Sequence, residues 1–135
     1  MSDRPSAGYS ETVLDHFERP RNSGVLEDAN GVGYMTNPVC GDTLLLMLRI
    51  EGEQITDVRW QSSGCAASIA ASSRMSELVR ERPIAHAEAI TREAIVEALD
   101  GLPASKLHAS VLAADALQHA LADYRTKQKG ASGRR

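Results

Sequence analysis

The chain has 135 residues, 42% hydrophobic and 24% charged, which is ordinary for one folded domain, and its 4% aromatic content makes the core aliphatic. The net charge of −3 hides five bases after Asp123 (Arg125, Lys127, Lys129, Arg134, Arg135); without them 10 basic face 18 acidic residues, and a body at −8 argues against nucleic acid as main partner. No apolar run reaches membrane-spanning length and the N-terminus (Met1-Ser2-Asp3-Arg4-Pro5) has no signal-peptide core, so the expected setting is cytoplasmic, away from membranes, with reduced cysteines.

Residues 1–8 are polar and read as loose. Ser10 caps a short helix from Glu11 to about Glu18, with Val13, Leu14 and Phe17 on its apolar face. Pro20 ends that helix, and Arg19 to Gly24 is a turn. Val25 to Gly33 reads as a loop, followed by a short strand near Gly33 to Asn37. Thr43 to Ile50 is an almost unbroken apolar run, a strand at least partly buried on both faces. Glu51-Gly52-Glu53-Gln54 is a hairpin turn, and Ile55 to Ser62 returns with Val58 and Trp60 on one face.

Cys65 opens a helix to about Glu81, in which the small residues Ala66 to Ala71 permit close packing and Ile69, Met75, Leu78 and Val79 are the larger contacts. Arg82-Pro83 breaks it. A short helical piece spans His86 to Ile90, and Thr91 caps another with Ala94, Ile95, Ala98 and Leu99 inward. Asp100 to Pro103 connects to a last helix from about Ser105 to Tyr124, with Leu107, Val111, Ala114, Leu117, Leu121 and Tyr124 at helical spacing. One domain therefore fills residues 1–124, and 125–135 reads as a basic, flexible tail. Strands followed by helices predict an α+β fold with the helices on one sheet face.

The chemistry gathers at turns. Each of the two cysteines adjoins a glycine, in Asn37-Pro38-Val39-Cys40-Gly41-Asp42 and in Ser63-Gly64-Cys65-Ala66. Cys65 stands at the first turn of a helix, where the dipole and free N–H groups favour a thiolate, both a metal ligand and a nucleophile. An inert core cysteine is the competing reading, less favoured beside a turn glycine. Asp42 either ligates a metal or fixes its turn. His108 alone is a weak candidate, and His16, His86 and His119 are not assigned to a site. Two thiolates, a carboxylate and an imidazole suit zinc or iron–sulfur.

Tyr9-Ser10-Glu11, Asp15-His16-Phe17, Pro20-Arg21-Asn22, Asn37 to Asp42, Gly64-Cys65-Ala66-Ala67-Ser68, Leu102-Pro103 and Lys106-Leu107-His108 follow one another in an order that resembles the iron–sulfur cluster assembly scaffolds of the IscU and NifU N-terminal type. The resemblance spans Tyr9 to Tyr124. It implies a three-stranded antiparallel sheet with helices packed on one face. It implies Cys40, Asp42, Cys65 and His108 as ligands of iron or of a transient 2Fe–2S cluster, with zinc in the cluster-free form, and Asp42 as a ligand or regulator that aids release. The implied partners are a cysteine desulfurase, an iron donor and apo-protein acceptors. A carrier rather than an enzyme is expected, as a monomer or weak dimer. Tyr9 matches a family tyrosine that either touches a second subunit or anchors its own segment.

Two departures stand out. The family's third cysteine directly follows the histidine, and here that position is Ala109. The family's chaperone segment, Leu-Pro-Pro-Val-Lys, reads Leu102-Pro103-Ala104-Ser105-Lys106, and the lost proline argues against recognition by a dedicated Hsp70-type chaperone. The runner-up is a zinc-containing sulfur acceptor like the related SufU-type proteins. A paralogue that binds the desulfurase without building a cluster and a hydrolase using Cys65 and His108 carry less weight.

Overall fold

The computed structural model describes residues 8–38 and 41–133, with side chains as far as 128. The segment read as loose, 1–7, and the bases Arg134 and Arg135 fall outside the described residues.

Helix α1 (Glu11–Glu18) begins as its sequence expects: Ser10 accepts a hydrogen bond from the Val13 N–H at 3.0 Å, and its own hydroxyl donates to the Leu99 carbonyl at 2.5 Å. Strands β1 (Gly31–Thr36), β2 (Thr43–Glu51), β3 (Gln54–Ser63) and β4 (Arg82–Pro83) form an antiparallel sheet in that spatial order. The β2–β3 turn places Gly52 at φ 57° and Glu53 at φ 67°, the left-handed pair of a tight hairpin.

The sheet has four strands, not the three expected. Arg82-Pro83 does stop the preceding helix, but it then pairs with Ile55 and Gln54. The Glu81 N–H donates to the Ile55 carbonyl at 2.7 Å and that of Ile84 to the Glu53 carbonyl at 2.9 Å. A proline is tolerated at such an edge because no ladder donor is required of it there.

Further along the same edge of β3, the Trp60 N–H donates to the Asn22 carbonyl at 3.1 Å and the Gly24 N–H to the Trp60 carbonyl at 2.9 Å. The chain then crosses to the far side of β2. There the Asn30 N–H reaches the Leu48 carbonyl at 2.9 Å, and its side-chain amide brackets Ile50 with two bonds of 2.8 Å. On the way the Asp28 carbonyl accepts from Arg49 at 3.1 Å, so residues 25–29 strap the outer face of the sheet. Met47, whose position in the strand turns it to that face, is buried.

The inner face carries Leu44, Leu46, Leu48 and Ile50 from β2 and Ile55, Val58 and Trp60 from β3, all buried. Helix α2 (Ala66–Val79) covers β3, and α5 (His108–Gly133) covers β1 and β2. The short helices α3 (Ile84–Glu88) and α4 (Arg92–Ala98) close the same side, with Thr91 capping α4 through the Ala94 N–H at 3.1 Å. The architecture is α+β with the helices on one face. Small residues set the spacing: Ala67, Ala70 and Ala71 on α2 and Ala113, Ala116 and Ala120 on α5 are buried. Helix α5 continues to Gly133, beyond the expected end near Tyr124; within that extension Arg125 pairs with Glu88 at 2.7 Å and Lys127 with Asp123 at 2.9 Å. Among the described residues no helix is long and apolar enough to cross a membrane.

The inner face of α1 differs from expectation. Val13, Leu14 and His16 are buried, and Phe17 is only partly so. His16 Nδ1 lies 2.6 Å from Ser73 Oγ, and Nε2 lies 3.2 Å from Glu77 Oε1. Ser73 Oγ also accepts the Arg21 N–H at 2.8 Å, so its proton is directed at Nδ1 and the ring's own proton at Glu77. Burial first, then the Arg21 guanidinium, holds the imidazole below its ordinary value of 6.5, against the pull of Glu77. The unfolded chain therefore binds more protons below that pH. The contribution of neutral His16 is fully present above about pH 6.5 and is lost as the pH falls. Urea unfolding should show stability dropping between pH 7.5 and 5.5 in the parent chain, and a shallower drop in His16→Gln.

Candidate metal centre

The β2–β3 hairpin ends on the pair Thr43–Ser63, which brings the residues just beyond it, Asp42 and Gly64-Cys65, side by side. The preceding loop folds back on itself: the Gly41 N–H donates to the Asn37 carbonyl at 2.7 Å and the Asn37 N–H to the Asp42 carbonyl at 2.8 Å. Gly41 at φ 77° is in the left-handed region that glycine tolerates best. Cys65 is the N-cap of α2, yet its side chain makes no capping bond, so Sγ is left to face the hairpin end. The third element arrives from far along the chain. A 3₁₀ turn, Ala104–Lys106, leads through Leu107 into α5, whose first residue is His108.

These segments converge. One ligand atom each from Asp42, Cys65 and His108 lies within 4.8 Å of the others. Asp42 Oδ2 is 3.5 Å from Cys65 Sγ and 3.5 Å from His108 Nε2. Around a tetrahedral zinc ion, donors of these types stand roughly 3.3–3.7 Å apart, given the usual metal–ligand lengths. Asp42 is buried, whereas Cys65 and His108 are partly exposed. His108 Nε2 is itself inaccessible and has no hydrogen-bond partner among the described residues; its approach to Asp42 is close but not aligned as a bond. A buried ring nitrogen left without a partner is costly, and a cation between it, the carboxylate and the sulfur would remove that cost. The donor set and its spacing fit a borderline metal such as zinc or iron.

Cys40, the fourth residue that the sequence points to, lies outside the described residues, as does Val39. His86 and His119 are exposed and remote from the cluster, and His16 is committed to Ser73 and Glu77. Ala109 is buried in the core directly after His108. Tyr9 packs against the core next to the site. Burial raises its hydroxyl above the ordinary value, the Lys106 cation lowers it, and Cys65 raises it further. Sequence reasoning missed Ser68. It is buried, its hydroxyl donates to Asp42 Oδ2, and it lies 3.6 Å from Cys65 Sγ. The available signal was its place at the third position after the N-cap, which faces back over the helix start.

Residues 8–131 match the family described as the NifU-like N terminal domain. The chain belongs to the NifU-like N-terminal domain family. Within it, the chain is 50% identical over 116 residues to the iron-sulfur cluster assembly scaffold protein IscU 1 of Archaeoglobus fulgidus, 86% of this chain and 76% of that one. It is 42% identical over 125 residues to the scaffold protein IscU of Escherichia coli K12, covering 90% and 97% of the two chains. The crystal structure of a nitrogen-fixing NifU-like protein (N-terminal) from Brucella abortus superposes with a TM-score of 0.74 at 18% identity, over 87% of this chain and 94% of that one. That likeness is one of fold. The α+β architecture is thus the family's own.

Proposed function

We propose that this NifU-like domain is a scaffold for iron–sulfur cluster assembly, a carrier rather than a turnover enzyme. Iron and sulfide are its substrates and a labile 2Fe–2S cluster its cargo. The observation that carries the reading is the convergence of Asp42, Cys65 and His108 on one point, with the His108 ring nitrogen buried there and making no hydrogen bond among the described residues. The IscU-named relatives support the same assignment.

Each ligand has a distinct task. The Cys65 thiolate supplies the soft donor; attacking the outer sulfur of a desulfurase's cysteine persulfide, it releases that enzyme's thiolate, and a two-electron reductant such as a thiol pair brings the transferred sulfur to sulfide. Asp42 supplies a hard oxygen, the weaker partner for an iron–sulfur cargo and the first to be exchanged on delivery to an apo-protein. His108 closes the third side, and Cys40 completes the set. The setting is cytoplasmic. Ala104 and Ser105, which stand in a 3₁₀ turn where the chaperone segment has proline and valine, support delivery without a dedicated Hsp70-type chaperone. A second reading, a zinc-containing sulfur acceptor, draws on the 3.5 Å spacings, which suit a single ion with three protein ligands and one open position.

Anaerobic reconstitution with iron, sulfide and a cysteine desulfurase tests the assignment, followed by visible absorption and bound iron in this chain and in Ala109→Cys. The expected result is a cluster on the parent that passes to an apo-ferredoxin, with longer retention in Ala109→Cys because a thiolate is added beside His108. A cluster on Ala109→Cys alone would make the parent a disabled or regulatory form. Zinc without a cluster in both would sink the scaffold reading in favour of the sulfur acceptor.

A further inference from the structure

We infer that Ser68 is a positioning residue for the metal centre, acting through Asp42; the inference rests on the metal-binding reading above. Three observations carry it. Ser68 is 1% exposed, and its hydroxyl donates to Asp42 Oδ2, the same oxygen that faces both Cys65 Sγ and His108 Nε2. It approaches Cys65 Sγ to 3.6 Å, so one hydroxyl touches two of the three candidate ligands. Its backbone stands in the first turn of α2, three residues after the N-cap, so the helix itself carries the hydroxyl over the hairpin end.

A carboxylate on a short side chain can rotate, and each orientation presents a different oxygen to a different neighbour. Gly64 leaves Asp42 the room to lie against the hairpin end, but room alone selects no orientation. The Ser68 hydroxyl does. It pins Oδ2 over the point shared with sulfur and imidazole before any ion arrives, and it leaves that oxygen a second lone pair for the ion. Such outer partners typically change metal affinity by about 10–100-fold when removed. Ser68 also sits on the first turn of α2, where the helix terminus favours the same negative charge. The hairpin and the helix are thereby registered to one another at the ligand itself.

Cobalt(II) titration provides the test, because thiolate-to-cobalt absorption and the ligand-field bands report the site without cluster assembly. Four chains are compared: parent, Ser68→Ala, Asp42→Ala and the double variant. Ser68→Ala is expected to weaken cobalt binding about tenfold in the parent background and to have no further effect once Asp42 is alanine. Ser72→Ala removes an equally buried hydroxyl one turn away and should leave affinity and spectrum unchanged. Equal losses from Ser68→Ala in both backgrounds, or cobalt binding within twofold of the parent, would overturn the role assigned to Ser68 while leaving the metal centre standing. No thiolate-to-cobalt band in the parent would overturn the metal-binding reading itself, and the inference with it.

Discussion

Gly33→Ala should destabilise the fold by about 3 kcal/mol or more, a large share of the total for a domain of this size. Gly33 lies in β1 directly beneath α5. A Cβ added there would stand 2.7 Å from the Ala120 nitrogen, closer still to the Ala116 carbonyl oxygen, and 3.2 Å from the His119 Cβ. The two nearest atoms are helix backbone, so no side-chain rotation relieves the clash. Relief requires lifting α5 from β1, which would open the packing of Ala116 and Ala120, both buried to 0% exposure. Gly31, two residues earlier, would place its Cβ 2.8 Å from the Ala120 oxygen and 3.2 Å from the Tyr124 Cβ, so Gly31→Ala should cost less. Urea unfolding of the two variants measures the difference. A Gly33→Ala midpoint equal to that of the parent would mean that α5 does not lie this close to β1.

Gly64→Ala should instead spare the fold and damage the site. The added Cβ would lie 2.6 Å from Asp42 Cγ, 2.7 Å from Oδ1 and 3.0 Å from Asp42 Cβ. Here the two nearest atoms belong to the end of a side chain, which can rotate away, and only Asp42 Cβ must give by a few tenths of an ångström. Asp42 then leaves the Ser68 hydroxyl and the point it shares with Cys65 and His108. Metal affinity should fall on the order of 100-fold, as for loss of a ligand together with its outer partner, while the thermal midpoint of the metal-free chain moves by a few degrees at most. Cobalt titration beside a thermal melt separates the two effects. Full affinity in Gly64→Ala would show that Asp42 is not held against the hairpin end.

What could be read from the sequence, and what could not, divides along a physical line. Features set by local chemistry were readable: the Ser10 and Thr91 caps, the stop at Pro20, the left-handed hairpin turn at Gly52-Glu53, and Cys65 at a helix start. Each depends on a few adjacent residues. Features set by partners distant in the chain were not. Arg82-Pro83 reads as a helix stop, and becomes a strand only because the edge of β3 is open beside it. His16 reads as a surface histidine until Ser73 and Glu77 enclose it. Ser68 reads as one small residue among several, since nothing local says that Asp42 lies above it. Asp42 and Cys65 were read from their turns and His108 through motif resemblance, and the topology accounts for their meeting. The strand ladder joins the first two, and α5, returning over β1 and β2, brings the third.

That division of labour bears on how a metal bound there would leave. Asp42 and Cys65 stay together for as long as the hairpin ladder holds, since the Thr43–Ser63 pair lies between them and the rest of the sheet. His108 depends only on where one helix end rests. A metal held there could therefore leave by rotation of the short Asp42 side chain alone, with the strand ladder and α5 both unmoved.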